Sequence, residues 1–325
     1  MPPESAPVRL SAWPTSLQPA PRLAAALGLR PADLWVKRDD LTDLGGGNKL
    51  RKLEHLLGEA VAAGATVLVT SGGLQSNHAR ITALGAARLG LRSVLVLTGT
   101  ADPARTGNLA LEELAGARIV VLPAGADAGE RVAEEAAALR AAGEVPFVVP
   151  LGGSTPTGVR GYLEAAAELL EQAPDLATVV VAVGSGGTMA GLVAGLGAER
   201  VLGIDTGAVP DPDVRVRDLV TALGRPEPEL RLRRDQVGEG YGAATEAGVR
   251  ALHAAASTEG LLLDPVYTGK ALAGLAAAVA DGTIRPGTRT VFLHTGGLPG
   301  LFGHPLAAQL TAAALDDGGA ALPRG

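Results

Sequence analysis

The chain has 325 residues, 47% of them apolar, enough for a sizeable core and more than one average domain requires. Its 34 acidic and 28 basic residues leave a net charge of -6, so nucleic acid, which demands a basic footprint, is excluded as an expected partner. With no cysteine, disulfides, thiolate metal sites and a cysteine nucleophile are ruled out, and the redox compartment stays open.

The opening "MPPESAPVRLSAWPTS" shows no basic region followed by an apolar run, and no apolar stretch reaches the roughly 18 residues of a membrane span. A soluble, cytoplasmic protein is expected. The first clear strand is "LWVK" at 34–37, followed by "GGGNKLRKLEHLLGEA" at 45–60. Three glycines and an asparagine there precede Lys49, which opens an amphipathic helix predicted over 49–63. A helix N-terminus carries roughly half a positive charge and disfavours a cation. The same field lowers the amine's pKa, as a lysine that attacks carbonyls requires. An exposed lysine after a flexible turn is the plainer alternative, and Lys52, one turn on, reads as a helix-surface cation. Lysine is otherwise limited to Lys37 and Lys270, and tyrosine to Tyr162, Tyr241 and Tyr267.

Strands are predicted at 66–70, 93–97, 118–122 and 146–150, with helices over 75–89 and 127–141 between them. In "TSGGLQSNHARITALGAARLG" (70–90), a strand runs through Ser-Gly-Gly into a helix whose first turn holds Ser76 and Asn77. Backbone N–H groups there could receive a carboxylate, although Ser76 or Asn77 could simply cap the helix. His78 and Arg80 sit beside this loop, with surface roles as the plainer reading.

Later strands fall at 178–183, 200–204 and 290–294, and helices at 157–172, 187–197 and 243–257. "VVVAVGSGGTMAGLVAGL" (179–196) is the strongest anion-cradle signal: a strand, then Gly184, Ser185, Gly186, Gly187 and Thr188, then a helix. It lacks the Gly-Lys-Ser/Thr of a nucleotide loop, and a monophosphate suits it better than a dinucleotide, even with Asp205 at the next strand's end. "RLRRD" at 231–235 reads as a solvated surface segment. "GEGYGAATEAG", "LLLDPVYTGKALAGL" and "VFLHTGGLPGLFGHP" place Tyr241, Tyr267 with Thr268, and Thr295 beside glycines. His294 reads as a satisfied interior histidine, and no histidine spacing suits a metal.

This order gives an α/β protein with two domains, each a mainly parallel open sheet flanked by helices. The strands near 66–150 form an inserted unit, and those on either side must pair with each other. The expected division is a large domain of 1–51 plus 160–325 and a small one of 52–159, with an active site in the cleft between them.

A reactive lysine, a phosphate cradle, a carboxylate-binding helix start and a set of hydroxyls together suit pyridoxal phosphate. The sequence resembles the tryptophan-synthase-β-like (fold type II) pyridoxal-phosphate enzymes, within them the D-cysteine desulfhydrase and 1-aminocyclopropane-1-carboxylate (ACC) deaminase group. The motifs are "PTSLQPAPRLAAALG", "VKRDDLTDLGGGNKLRKLEHLL", "TSGGLQSNHAR", "VGSGGTMAGL", "DPVYTGK" and "HTGGLPGLF". The resemblance implies that Lys49 holds the cofactor in Schiff-base linkage and Asn77 bonds its ring hydroxyl. It implies that residues 184–188 hold the phosphate and that Ser76, Asn77 and His78 meet the substrate. Tyr241 and Tyr267 would be the group's two active-site tyrosines. ACC deaminases look like "VYEGK" and His-Leu-Gly-Gly, whereas Thr268 and Thr295 give the desulfhydrase-like pattern at the ring nitrogen. The implied reaction is elimination from D-cysteine by a homodimer, with ACC or another β-substituted amino acid such as L-cysteate as alternative substrates, and a non-catalytic phosphate-ligand binding protein as the alternative from a different class.

Overall fold

The structure is a computed structural model that describes residues 5–100 and 105–310. Its strands are β1 (Leu17–Pro19), β2 (Leu34–Lys37), β3 (Val67–Gly73), β4 (Arg92–Thr98), β5 (Arg118–Leu122), β6 (Pro146–Val148), β7 (Leu176–Val183), β8 (Val201–Asp205), β9 (Arg231–Arg233) and β10 (Arg289–Leu293). The helices are α1 (Pro21–Ala26), α2 (Lys49–Ala62), α3 (Asn77–Arg88), α4 (Gly107–Leu114), α5 (Ala128–Ala141), α6 (Pro156–Gln172), α7 (Gly187–Leu196), α8 (Pro212–Ala222), α9 (Glu246–Glu259), α10 (Thr268–Ala280) and α11 (Leu298–Phe302).

One sheet has six strands in the order β1-β2-β10-β7-β8-β9, the other four in the order β5-β4-β3-β6. Every pairing is parallel except β1 with β2. Strand β7 shows why the larger sheet is covered on both faces. Its alternate residues Val179, Val181 and Val183 join a core with α6 and α7, while Val180 and Ala182 join another with α9 and α10. Each fully buried valine stabilises the fold by about 1.5–3 kcal/mol relative to an exposed one.

Helix α2 is fastened by charge as well as packing. Arg51 donates to both oxygens of Asp39 and both of Glu168, and its guanidinium lies 4.0 Å from the centre of the Trp13 ring. Lys37 reaches Glu168 at 2.7 Å, and Tyr162 donates to Asp39 at 2.6 Å. A buried network so fully paired fixes one register for the helix that begins at Lys49.

The eight strands expected from apolar runs all form, but "RLRRD" is not a free surface segment. Its first three residues are edge strand β9, half-buried and parallel to β8. Arg233 pairs with Asp235 and Asp281, so charge blunts this edge. Strand β1 and helices α1, α4, α8, α10 and α11 are additional to the elements expected. Helix α9 begins at Glu246 rather than 243 because Thr245 caps it, accepting from the Gly248 N–H at 3.0 Å.

Candidate active site

The carboxyl ends of β3, β7 and β10 and the start of α2 surround a cavity of about 280 Å³. Parallel sheets place ligands at this end. The chain reaches Lys49 through four consecutive residues in the left-handed region: Leu44 (φ 57°), Gly45 (79°), Gly46 (74°) and Gly47 (124°). A Cβ on Gly46 would lie 2.0 Å from the Asp40 carbonyl oxygen, so the turn closes only around glycine. Arg80, fully buried, donates to the carbonyls of Leu44 and Gly46 and locks this turn from the side of α3.

Lys49 is the first residue of α2, with no acid in the helix's first turn. It lines the cavity, and among the described residues its amine makes one hydrogen bond, 3.2 Å to Asn48 Oδ1. Desolvation by the surrounding protein lowers its pKa to about 8; Arg80 adds to the effect and Asp264 opposes it. The amine is thus partly uncharged near neutral pH, as attack on a carbonyl requires.

At the end of β7, Gly186 takes φ 84° and α7 starts at Gly187. Gly184, Ser185, Gly186 and Thr188 line the cavity, while the Gly187 N–H is spent on Ser154 Oγ at 3.2 Å. Thr188 Oγ1 accepts from Asn48 Nδ2 at 2.9 Å, tying the loop to the residue before Lys49. The expectation that Lys52 is a helix-surface cation is wrong. Its side chain is buried, and Nζ donates to Ser154 Oγ at 3.0 Å and the Gly152 carbonyl at 3.3 Å. Ser154 Oγ in turn lies 2.8 Å from Ser185 Oγ. Burial, then the positive charges of Lys49 and Arg215, push the Lys52 pKa well below its ordinary value. A buried amine with only neutral partners and two cationic neighbours fits an anion, and here it meets a helix N-terminus and two hydroxyls. These residues fit a phosphate group. Lys52→Met is expected to weaken cofactor binding about 10- to 100-fold, the loss of one charged hydrogen bond, measurable by titrating the apo-protein.

Ser76 is the N-cap of α3, its Oγ accepting from the Ala79 N–H at 3.2 Å, so the capping role is real. It also lines the cavity together with Asn77. A Cβ on Gly72 would come within 2.6 Å of Ser76 Oγ, which explains the glycine at this strand end. His78 lines the cavity but is buried, and its Nε2 lies 3.0 Å from Thr70 Oγ1. The Thr70 hydroxyl proton goes to the Val149 carbonyl, so His78 Nε2 must be the donor and that edge of the ring is structural. Burial, reinforced by Lys49 and Lys52, lowers the His78 pKa to about 3 and keeps the ring neutral.

The two threonines expected at the ring nitrogen part company. Thr295 lines the cavity. Thr268 is fully buried and outside the cavity lining: its hydroxyl donates to Asp264 Oδ1 at 2.7 Å and accepts from the Asp264 N–H at 2.8 Å. Its oxygen is committed to shaping the start of α10, which corrects its assignment as a cofactor contact. Asp264 is saturated too, accepting from the N–H groups of Val266, Tyr267 and Thr268.

Tyr241 and Tyr267 meet hydroxyl to hydroxyl at 2.6 Å, their rings edge to face with centroids 6.1 Å apart. Desolvation around the hydroxyls raises both pKa values, that of Tyr267 the more firmly because the Tyr241 residue is itself half exposed, and both carry their protons at neutral pH. Lys270, to which no role was assigned from its motif, is buried and donates to the carbonyls of Val237 (2.8 Å), Gly240 (3.0 Å) and Thr206 (3.4 Å). It thereby fastens the loop bearing Tyr241 to the helix that starts beside Tyr267. His294 is interior and satisfied, with Nε2 3.2 Å from the Leu262 carbonyl and Nδ1 accepting from the Gly296 N–H. Among the described residues no group of three acidic or histidine side chains could hold a metal, and no helix is long and apolar enough to cross a membrane.

A family model described as "Pyridoxal-phosphate dependent enzyme" matches residues 8–296. The chain is 42% identical to a putative 1-aminocyclopropane-1-carboxylate deaminase of Pyrococcus abyssi, over 91% of this chain and 92% of that one. It is 39% identical to a D-cysteine desulfhydrase of Klebsiella pneumoniae, over 90% and 94% of the two chains. The crystal structure of an ACC deaminase homologue superposes with a TM-score of 0.85 at 36% identity, covering 96% of this chain and 99% of that one. Processed threonine deaminase isoform 2 of Solanum lycopersicum shares the fold, at a TM-score of 0.66 and 16% identity over 94% of this chain and 84% of that one.

Proposed function

The chain belongs to the pyridoxal-phosphate-dependent enzymes, and on that premise we propose that it cleaves D-cysteine with water to pyruvate, hydrogen sulfide and ammonia. The observation that carries this choice is that no Asp or Glu lines the cavity among the described residues. A ring nitrogen held on the Thr295 side would meet hydroxyl and backbone groups, which can bond a neutral pyridine, whereas a carboxylate would favour the protonated, more electron-withdrawing form. Opening a cyclopropane needs that stronger withdrawal more than expelling sulfur from Cβ does. Similarity to the D-cysteine desulfhydrases supports the D-configuration.

Pyridoxal phosphate, when bound, supplies a ring that stabilises negative charge at the substrate's Cα. Ser185, Gly186, Thr188 and Lys52 would hold its phosphate, Asn77 its ring hydroxyl and Thr295 its nitrogen side. The Lys49 amine, once free, takes the proton from Cα. Ser76 and the first N–H groups of α3 hold the substrate carboxylate. The Tyr241–Tyr267 pair delivers a proton to the departing sulfur. The proposal keeps the division into 1–51 plus 160–325 and 52–159, with the reaction in the cleft between them.

Purified, cofactor-loaded protein is expected to release pyruvate and sulfide from D-cysteine and little 2-oxobutanoate from ACC. A reversed preference would replace the proposal with ACC deamination. Sulfite release from L-cysteate in preference to sulfide from D-cysteine would shift it to another β-substituted amino acid.

A further inference from the structure

Asn108, near the start of α4, is fully buried, and each polar atom of its side chain is paired. Its Oδ1 accepts from Arg80 Nε at 2.8 Å, and its Nδ2 donates to the Gln75 carbonyl at 2.9 Å and to Asn77 Oδ1 at 3.0 Å. This orientation has no alternative, because a guanidinium only donates and a peptide carbonyl only accepts. Asn77 must therefore turn its own carbonyl oxygen toward Asn108. The Asn77 Nδ2, with no partner among the described residues, is left for the cavity that this residue lines. Arg80 is held in turn by the Leu44 and Gly46 carbonyls of the turn before Lys49.

We propose that Arg80 and Asn108 are positioning residues that compel Asn77 to offer the cofactor's ring oxygen an N–H donor instead of a carbonyl acceptor. The inference rests on the reading of Asn77 as the ring oxygen's partner. A donor there stabilises the anionic oxygen, whereas an acceptor would hold a proton on it. The charged and titratable groups around this point are Lys49 and Lys52 of α2, His78 and Arg80 of α3, Glu112 of α4, Asp264 before α10, and the Tyr241–Tyr267 pair, which keeps its protons at neutral pH. Burial keeps His78 neutral and raises the Glu112 carboxyl to about 9, so neither changes charge in the neutral range. The charge on the ring oxygen is then governed by the charges of Lys49, Lys52, Arg80 and Asp264 and by the direction of the Asn77 amide.

The test is a spectrophotometric pH titration of the visible band in protein loaded with pyridoxal phosphate. In Asn108→Asp the carboxylate still accepts from Arg80 but can only accept from Asn77, so the Asn77 amide reverses. The band is expected to lose intensity at neutral pH to a near-ultraviolet form, with an apparent pKa raised by about one unit or more. Asn108→Ser removes the lock without adding charge and is expected to raise the same pKa by a smaller amount. It separates orientation from electrostatics and takes over if the aspartate variant does not fold. A folded, loaded Asn108→Ser protein with the band and pKa of the parent overturns the inference, whatever its KM or thermal stability. If Asn77→Asp moves the band and the Asn108 variants do not, only the orienting role fails. A parent protein with no visible band that depends on Lys49 removes the reading of the cavity and this inference with it.

Discussion

Lys49→Ala is expected to lower turnover of D-cysteine by about 10⁴-fold and to abolish the visible absorbance of protein incubated with pyridoxal phosphate. Both losses follow from one placement. The amine stands at a helix start without a neighbouring acid, and its hydrogen bond is to a neutral amide oxygen. The pH dependence follows with a definite sign. Desolvation lowers the Lys49 pKa from 10.5 to about 8, so the uncharged amine becomes scarcer by about tenfold per pH unit below that value. Cofactor uptake by the apo-protein is expected to quicken with pH through about 8 and then level off. A solvated lysine would keep accelerating toward 10.5. Stability runs the same way: the unfolded chain holds this proton more tightly, so the apo-protein gains stability as pH rises from about 8 to 10.5 and forfeits it below. Stopped-flow uptake rates that climb without a plateau across this range would contradict the desolvated amine, and a Lys49→Ala protein that retains the visible band would remove Lys49 from its role.

What the sequence made legible, and what it hid, divides along the range of the interactions. The "TVVVAV" run announces a central strand because burial on both faces leaves a continuous apolar stretch. "GSGGT" announces a cradle because the passage from strand to helix goes through the left-handed region at Gly186. Both are local properties. Lys52 is different: its amine finds Ser154, 102 positions away, and its burial depends on how the residue 151–154 segment and β7 meet α2. No helical periodicity reports that, although the scarcity of lysine was a usable hint. Arg80 and Asn108 were hidden for the same reason, since their partners are carbonyls and amides drawn together by the turn, α3 and α4. Thr268 was misplaced because a motif shows that two residues are adjacent in sequence and not which way the hydroxyl turns. Asp264, four residues earlier, competes for that hydroxyl and keeps it.

Removing either tyrosine hydroxyl is expected to lower kcat for D-cysteine by about 10²- to 10³-fold with little change in KM, and removing both is expected to cost scarcely more. At 2.6 Å, one hydroxyl donates to the other, which leaves the pair a single outward proton. Tyr241→Phe and Tyr267→Phe would each break the same unit, so their effects do not add. Raised pKa values keep that proton available at neutral pH, which makes the pair an acid toward sulfur instead of a base. The leaving group supplies the discriminating measurement. A thiol needs a proton to depart as hydrogen sulfide, and a thiolate needs one to depart even as hydrosulfide, whereas chloride leaves from β-chloro-D-alanine without one. Tyr267→Phe should therefore lose far more activity on D-cysteine than on β-chloro-D-alanine, and Tyr241→Phe should show the same asymmetry. If the tyrosines only wall the cavity, both substrates will lose activity in equal proportion, and the sulfur must then take its proton from another donor such as Ser76.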